Sequence, residues 1–224
     1  MALFVAFPYL ALVIAVLVGV YRYFIDRYSF SSLSSQFLEN RKLFWGSVSW
    51  HYGIVIILTA HLLALLIPAL WALLVGGQVR LYVIEIAGWA LALGSIFGLV
   101  VLIVRRLLTP RALAVTSWLD WLLLSDLLLQ VILGFIVAFF YRWGAVWYLH
   151  TAVPWLISLA TFTPQTQFVS VLPPLIQLHF LNGFLLILIF PFTRLVHFVT
   201  FPFTYWWRPY QVVIWNRGGQ GQSK

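Results

Sequence analysis

The chain contains no cysteine, one methionine and only five acidic residues among 224. Without thiols it can form no disulfide, thiolate metal site, iron–sulfur cluster or thioether-attached haem, so any metal it holds must rest on His or oxygen ligands. Charge is scarce: 8% of residues are Asp, Glu, Lys or Arg, against about a quarter in an ordinary soluble domain. An internal repeat of about 20–50 residues is also missing, which argues against solenoids and inverted-repeat transporters. Hydrophobic residues make up 63% of the chain and aromatics 18%, with 12 Trp and a mean hydropathy of +1.01. These values describe an integral membrane protein with little extramembrane mass, its Trp side chains suited to headgroup level. The net charge of +8 does not imply nucleic acid, because its placement along the chain has a better explanation.

A spanning helix needs roughly 20 mainly apolar residues. Five segments qualify, at about 3–24, 46–75, 83–104, 117–140 and 176–200, and they predict an all-α, five-helix transmembrane bundle. The first is too long for a signal peptide, is interrupted by Pro8 and has no A-x-A-like site after it, so it is expected to remain. Of the 13 Lys and Arg residues, 11 fall in the connections between spans one and two and between spans three and four, or at the C-terminal end; only Arg80 and Arg142 lie on the opposite side. The positive-inside rule then predicts an outer N-terminus and a cytoplasmic C-terminus in a cell membrane. Residues 1–205 form the membrane domain on this reading, and 206–224 a cytoplasmic tail. The connection from about 141 to 175 carries four prolines and is expected to start as an interfacial helix on the outer surface.

Four of the five histidines sit in two spans: His51 and His61 in the second, His179 and His197 in the fifth. These two spans run in opposite directions, so His51 and His197 fall near the cytoplasmic face and His61 and His179 in the outer half. In a continuous helix His51 and His61 are separated by a rise of roughly 15 Å and His179 and His197 by roughly 27 Å, the latter two on one face. Pro191 between that second pair is placed to kink the helix. Two depth-matched pairs of neutral imidazoles between facing helices suit two bis-His haem b groups, with all four residues as iron ligands. The plainer alternative makes each His a hydrogen-bonding partner of a neighbouring helix. It leaves the antiparallel pairing of depths to coincidence. His150, in the outer connection, reads as an interfacial residue.

Several motifs now bear on identity: FPYL near the start, SSQFLENRK before the second span, H-x9-H from His51 to His61, and RRLLTPR after the third. They continue with D-x9-Q-x3-G from Asp120 through Gln130 to Gly134, and LHFLNGFLLILIFPFTRLVH from Leu178 to His197. In these the chain resembles the gamma subunit of respiratory nitrate reductase, a di-haem membrane cytochrome b, nearly end to end. The resemblance implies the same pairs, His51 with His197 at the inner haem and His61 with His179 at the outer. It further implies that membrane quinol is oxidised near the outer haem, and that electrons pass inward to a cytoplasmic iron–sulfur subunit and a molybdenum subunit that reduces nitrate. No nitrate chemistry would reside in this chain. The family's Lys after the second span is matched here by Arg80, one position out of register, and Ala64 stands where the family carries Gly. Arg and Lys bind a quinone oxygen differently. Arg80 is therefore read either as a quinol-site residue or as a snorkelling cation, and Glu85 either as a proton acceptor at that site or as the ion-pair partner of Arg80. Two alternatives stand beside this reading: a cytochrome b subunit of a related sulfur or heterodisulfide complex, and a haem-free anchor or transporter.

Asp126, inside the fourth span, is expected either to orient a ligand His or to pair with a helix-end Arg. Arg105, Arg106 and Arg111 suffice as topogenic charges, the alternative being contact with the inner haem's propionates or with an acidic patch on a partner. Gly94 to Gly98, GSIFG, is a small-xxx-small match for close helix packing. Ser34, Ser35 and Gln36 suggest a capping and docking segment, and 206–216 a strip that docks on a cytoplasmic subunit, with 217–224 flexible.

Overall fold

The computed structural model describes residues 2–26, 29–30, 41–199 and 207. The SSQFLENRK segment with Ser34, Ser35 and Gln36 lies almost wholly outside the described residues, and so does the tail from 206 onward apart from Trp207. Among the described residues the fold is all-helical, and five helices are long and apolar enough to cross a membrane. These are α1 (Leu3–Ile25), α2 (Arg41–Leu66), α4 (Gln78–Leu108), α6 (Trp118–Phe140) and α10 (Pro174–Ile189), the last continuing to Phe192. Shorter helices join them: α3 (Pro68–Val75), α5 (Pro110–Ala114), α7 (Gly144–His150), α8 (Ala152–Ala160) and α9 (Gln167–Ser170). In hydrocarbon a helix is the one open segment that satisfies its own backbone polar groups, which is why long apolar runs here become helices.

Two spans differ from their sequence expectation at a proline, while the third runs longer at both ends, Gln78–Leu108 against 83–104. The run 46–75 is two helices: it starts earlier, at Arg41, and breaks at Ile67 (φ −132°, ψ 64°) before Pro68. The proline ring disfavours helical geometry at the residue before it and supplies no N–H to the turn behind. The fifth span does not run as one helix to 200. α10 ends at Ile189, Phe190–Phe192 forms a 3₁₀ turn around Pro191, Thr193 is extended, and a second 3₁₀ segment spans Arg194–Phe198. His179 and His197 are therefore not carried on one face of a continuous helix.

Neighbouring helices pack in the order α2, α4, α6, α10, α1, with α2 and α4 in the most extensive contact. Between hydrocarbon-embedded helices there is no hydrophobic drive to associate, so close van der Waals packing and hydrogen bonds must do it. Small residues provide this. A Cβ on Gly98 would lie 2.6 Å from the backbone N of Trp50 and 2.7 Å from the carbonyl O of Gly46, and one on Gly53 would overlap Ser95. Ser49 Oγ adds a 2.7 Å hydrogen bond to the Gly94 carbonyl across the same crossing. The GSIFG segment thus does serve close packing, through Gly98 and Ser95, opposite Gly46 and Gly53 of α2. A cluster around Trp50, Leu99, Leu124 and Leu127 fills the α2–α4–α6 interior, and a second around Phe4, Trp155 and Phe184 joins α1, α8 and α10. A third, around Ala64, Trp71 and Val75, seats α7 against α2 and α3.

Candidate functional site

His51 and His197 are brought together at one end of the bundle, their ring centroids 6.2 Å apart and their planes inclined by 67°. Each ring is oriented by its own backbone. His51 Nδ1 lies 2.7 Å from the Ser47 carbonyl O, and His197 Nδ1 lies 2.5 Å from the Arg194 carbonyl O. A carbonyl only accepts, so Nδ1 carries the proton in each ring. His61 repeats the pattern nearly three turns further along α2, with Nδ1 2.8 Å from the Ile57 carbonyl O.

These features fit an iron held between two imidazoles. Two imidazoles brought this close would be near enough to hold one haem iron between them. An Nδ1–H bonded to a carbonyl is the usual outer support of a metal-bound His. No group of three or more His, Asp or Glu side chains that could hold a metal ion occurs among the described residues. The second pair is less closely drawn. His179 is half-buried, its Nδ1 atom enclosed without a hydrogen-bond partner, and it lies within electrostatic reach of His61. It packs on helix α6 at Gly134, where a Cβ would come within 3.0 Å of its Cε1. The Q-x3-G spacing thereby acquires a physical meaning: a side chain at 134 would occupy the imidazole's place.

The segment bearing His197 is held by two clamps. Arg22 of α1 donates to the carbonyls of Pro191 (2.7 Å) and Thr193 (3.4 Å), which the broken helix leaves without partners, and to Ser29 O (2.8 Å) and Oγ (3.1 Å). Arg194 makes a two-point contact with Asp120, Nε to Oδ1 at 2.6 Å and Nη2 to Oδ2 at 2.9 Å, and also reaches the Val115 carbonyl. Asp120 doubles as the third residue of a capping box with Ser117 at the start of α6, and Arg106 stands 3.7 Å away. Sequence reasoning counted Arg22 and Arg194 as topogenic charges and gave Arg106 a haem-propionate or partner contact as its alternative; nothing in their spacing announces the partners found here.

At the other end, Arg80 spends its guanidinium on the Leu73 and Leu74 carbonyls at the end of α3. Glu85 pairs with Arg142 (3.3 Å), not with Arg80, and accepts the Trp143 backbone N–H at 2.7 Å. Trp143 sits in the left-handed region (φ 64°), and the Arg142 guanidinium lies over the rings of Trp143 and Trp89. The turn from α6 into α7 is thus fixed by a carboxylate. It places Tyr148 of α7 against His61, ring centroids 5.4 Å apart at 79°. Burial pushes the Tyr148 phenol up to about 12, so it stays protonated at physiological pH. Tyr148 had no sequence signal beyond its place in an aromatic-rich connection. His150, at the end of α7, is exposed.

Asp126 follows neither expected role. Its Oδ2 is buried without a hydrogen-bond partner, and its neighbour is Asn182 of α10, whose Nδ2 donates to the Asp126 carbonyl (3.4 Å) and to Gln130 Oε1 (2.9 Å). A polar link between α6 and α10 results, and its Asn182 member lies inside the LHFLNG motif.

Comparison with known proteins agrees along nearly the whole chain. The family model described as nitrate reductase gamma subunit matches residues 1–216. The nitrate reductase gamma chain of Bacillus subtilis is 31% identical over 208 residues, covering 92% of this chain and 93% of that protein. The respiratory nitrate reductase 1 gamma chain of Escherichia coli is 31% identical over 218 residues, covering 95% and 96% respectively. A nitrate reductase-like protein, NarX, of Mycobacterium tuberculosis is 29% identical over 217 residues, but only 32% of its length is matched.

Proposed function

The chain belongs to the nitrate reductase gamma subunit family, and we propose from that premise that it is the di-haem b, quinol-oxidising membrane subunit of a respiratory nitrate reductase. The observation that carries the reading is the His51–His197 pair, spaced at 6.2 Å with both Nδ1 atoms committed to backbone carbonyls. His51 and His197 hold the inner haem, and His61 and His179 the outer. Bound there, haem b supplies one-electron transfer across the thickness of the bilayer. The chain's own residues do the rest. The Nδ1–carbonyl bonds fix the rings and tautomers of His51, His61 and His197, and Arg22 and the Asp120–Arg194 pair hold the segment that presents His197. Arg80 and Glu85 frame the outer site by holding the end of α3 and the turn into α7. Quinol gives up two electrons and two protons there; the protons leave on the outer side.

The excess of Lys and Arg on one side supports an outer N-terminus and a cytoplasmic C-terminus. On the cytoplasmic side the membrane domain, 1–205, would pass electrons to an iron–sulfur subunit and on to a molybdenum subunit, with 206–224 as docking tail. The test is a reduced-minus-oxidised absorption spectrum with a pyridine haemochrome count on the purified chain, His61→Ala and His197→Ala. Two b haems in the wild type and about one in each variant are expected. A wild type that takes up no haem after full reconstitution overturns the reading in favour of a haem-free anchor or transporter.

A further inference from the structure

We propose that Tyr148 is a quinol-binding residue of the outer site, its phenol hydrogen-bonded to a quinol oxygen beside the His61 imidazole; this rests on the quinol-oxidation reading above. Three observations converge on it. First, α7 is anchored by an expensive device. Trp143, a bulky residue in left-handed conformation (φ 64°), is held there by the Glu85 carboxylate, which the Arg142 guanidinium also grips. Strained backbone of this kind persists only where surrounding contacts over-determine it, and it concentrates at functional sites. Its effect here is to fix the α7 register over the end of α2.

Second, that register sets the Tyr148 ring against His61 at 5.4 Å, in the apolar cluster that includes Ala64 and Trp71. An apolar wall with one polar handle is what an amphipathic ring bearing hydroxyls requires. Third, the neighbouring polar groups are engaged while this hydroxyl is not. Trp71 Nε1 donates to the Ala145 carbonyl, Trp89 Nε1 to Ala138 and Trp147 Nε1 to Tyr141. Arg80 is held by α3 carbonyls and His61 Nδ1 by Ile57. The Tyr148 hydroxyl has no hydrogen-bond partner among the described residues, although burial alone accounts for its altered acidity. A half-buried phenol able both to donate and to accept, left unspent against a haem-ligand imidazole, is placed to bind the substrate's oxygen. It orients the quinol and takes no net part in the balance, in which quinol becomes quinone with release of two protons and two electrons.

Tyr148→Phe tests this in the complete membrane complex, because it keeps the ring against His61 and removes only the hydroxyl. Steady-state oxidation of a short-chain quinol is measured beside the b-haem count and the rate with a small one-electron donor that needs no quinol pocket. The expected result is a KM for quinol raised about tenfold, the effect of one lost hydrogen bond, with two haems present and the bypass rate unchanged. Wild-type KM and kcat in a two-haem variant overturn the proposal and leave the quinol reading standing. Loss of haem, or an equal fall in the bypass rate, also overturns it, since Tyr148 would then act through structure. A wild-type complex with two haems that does not oxidise quinol overturns the underlying reading itself.

Discussion

Three glycines of α4 meet very different surroundings, and their substitution by alanine should separate packing from propensity. A Cβ at Gly88 meets nothing within 4 Å, one at Gly94 comes 3.6 Å from Ser49 Oγ, and one at Gly98 comes 2.6 Å from Trp50 N, 2.7 Å from Gly46 O and 3.0 Å from Trp50 Cα. The first two positions have room for a methyl. They should gain up to about 1 kcal/mol from alanine's better helix propensity, a figure measured in water and so an upper value here. At Gly98 the obstacles are backbone atoms, which cannot rotate aside. The methyl fits only if α2 and α4 separate along the crossing, and overpacking of this kind costs about 1–3 kcal/mol.

Gly98→Ala should therefore destabilise while Gly88→Ala and Gly94→Ala do not, although Gly94 and Gly98 belong to the same small-xxx-small motif. Thermal unfolding in detergent, followed by tryptophan fluorescence, reads the difference directly, since Trp50 is at the contact. A loss of this size lowers the midpoint by roughly 5 °C in a chain of this length. His51 follows Trp50, so separation of the helices should also loosen the inner pair and reduce haem retention. Equal midpoints for Gly98→Ala and Gly88→Ala would refute the reasoning, and with it the claim that this crossing is set by backbone approach.

The clamps on the His197 segment make a second prediction. Asp120→Asn leaves Arg194 and the nearby Arg106 without their carboxylate, should cost about 3 kcal/mol, and should selectively lower inner-haem content; a full two-haem count refutes it. Arg22→Ala uncovers the Pro191 and Thr193 carbonyls and should shift the inner haem's midpoint potential and paramagnetic resonance spectrum while the outer signal stays put. Alkaline stability should carry a signature of Tyr148. Its folded value, raised to about 12, exceeds that of the unfolded phenol, about 10, so the unfolded state loses its proton first and stability falls as pH climbs from about 10 to 12. Tyr148→Phe should flatten that part of the wild-type pH–stability curve. Deleting 206–224 should release the cytoplasmic partners while both haems remain; co-purification of those partners with the truncated chain contradicts the docking role of the tail.

What could be read from the sequence follows the physics of each feature. Spans are long, cumulative signals, so five apolar runs correspond to five membrane-capable helices; the second and third start five residues early, and the breaks fall at prolines. Pro68 split one span and Pro191 ended another, but the sequence alone did not say whether a proline would kink a helix or stop it. Whether an X–Pro step is absorbed depends on who receives the freed carbonyls. At Pro191 the receiver is Arg22, 169 positions away, and no window along the chain reveals that. The histidine pairing of 51 with 197 was legible because antiparallel direction and depth are enough to propose it. What orients those rings was not: the Asp120–Arg194 contact spans 74 positions, and the Glu85 carboxylate found Arg142 rather than the nearer Arg80.

The contrast between Arg80 and Arg142 shows why charge counting reaches topology but not chemistry. Both were the two cations left on the sparse side of the bundle, and one of them was the obvious candidate to touch substrate. Arg80 instead caps α3: the helix ends at Val75, its last carbonyls have no further turn to receive them, and the guanidinium takes those of Leu73 and Leu74. That engagement removes the cation from the list of free donors. By the same logic an aromatic hydroxyl, Tyr148, stays unspent at this end among the described residues. A residue's availability for substrate is set by what the fold has already asked of its neighbours, which is why it has to be read from contacts and not from charge.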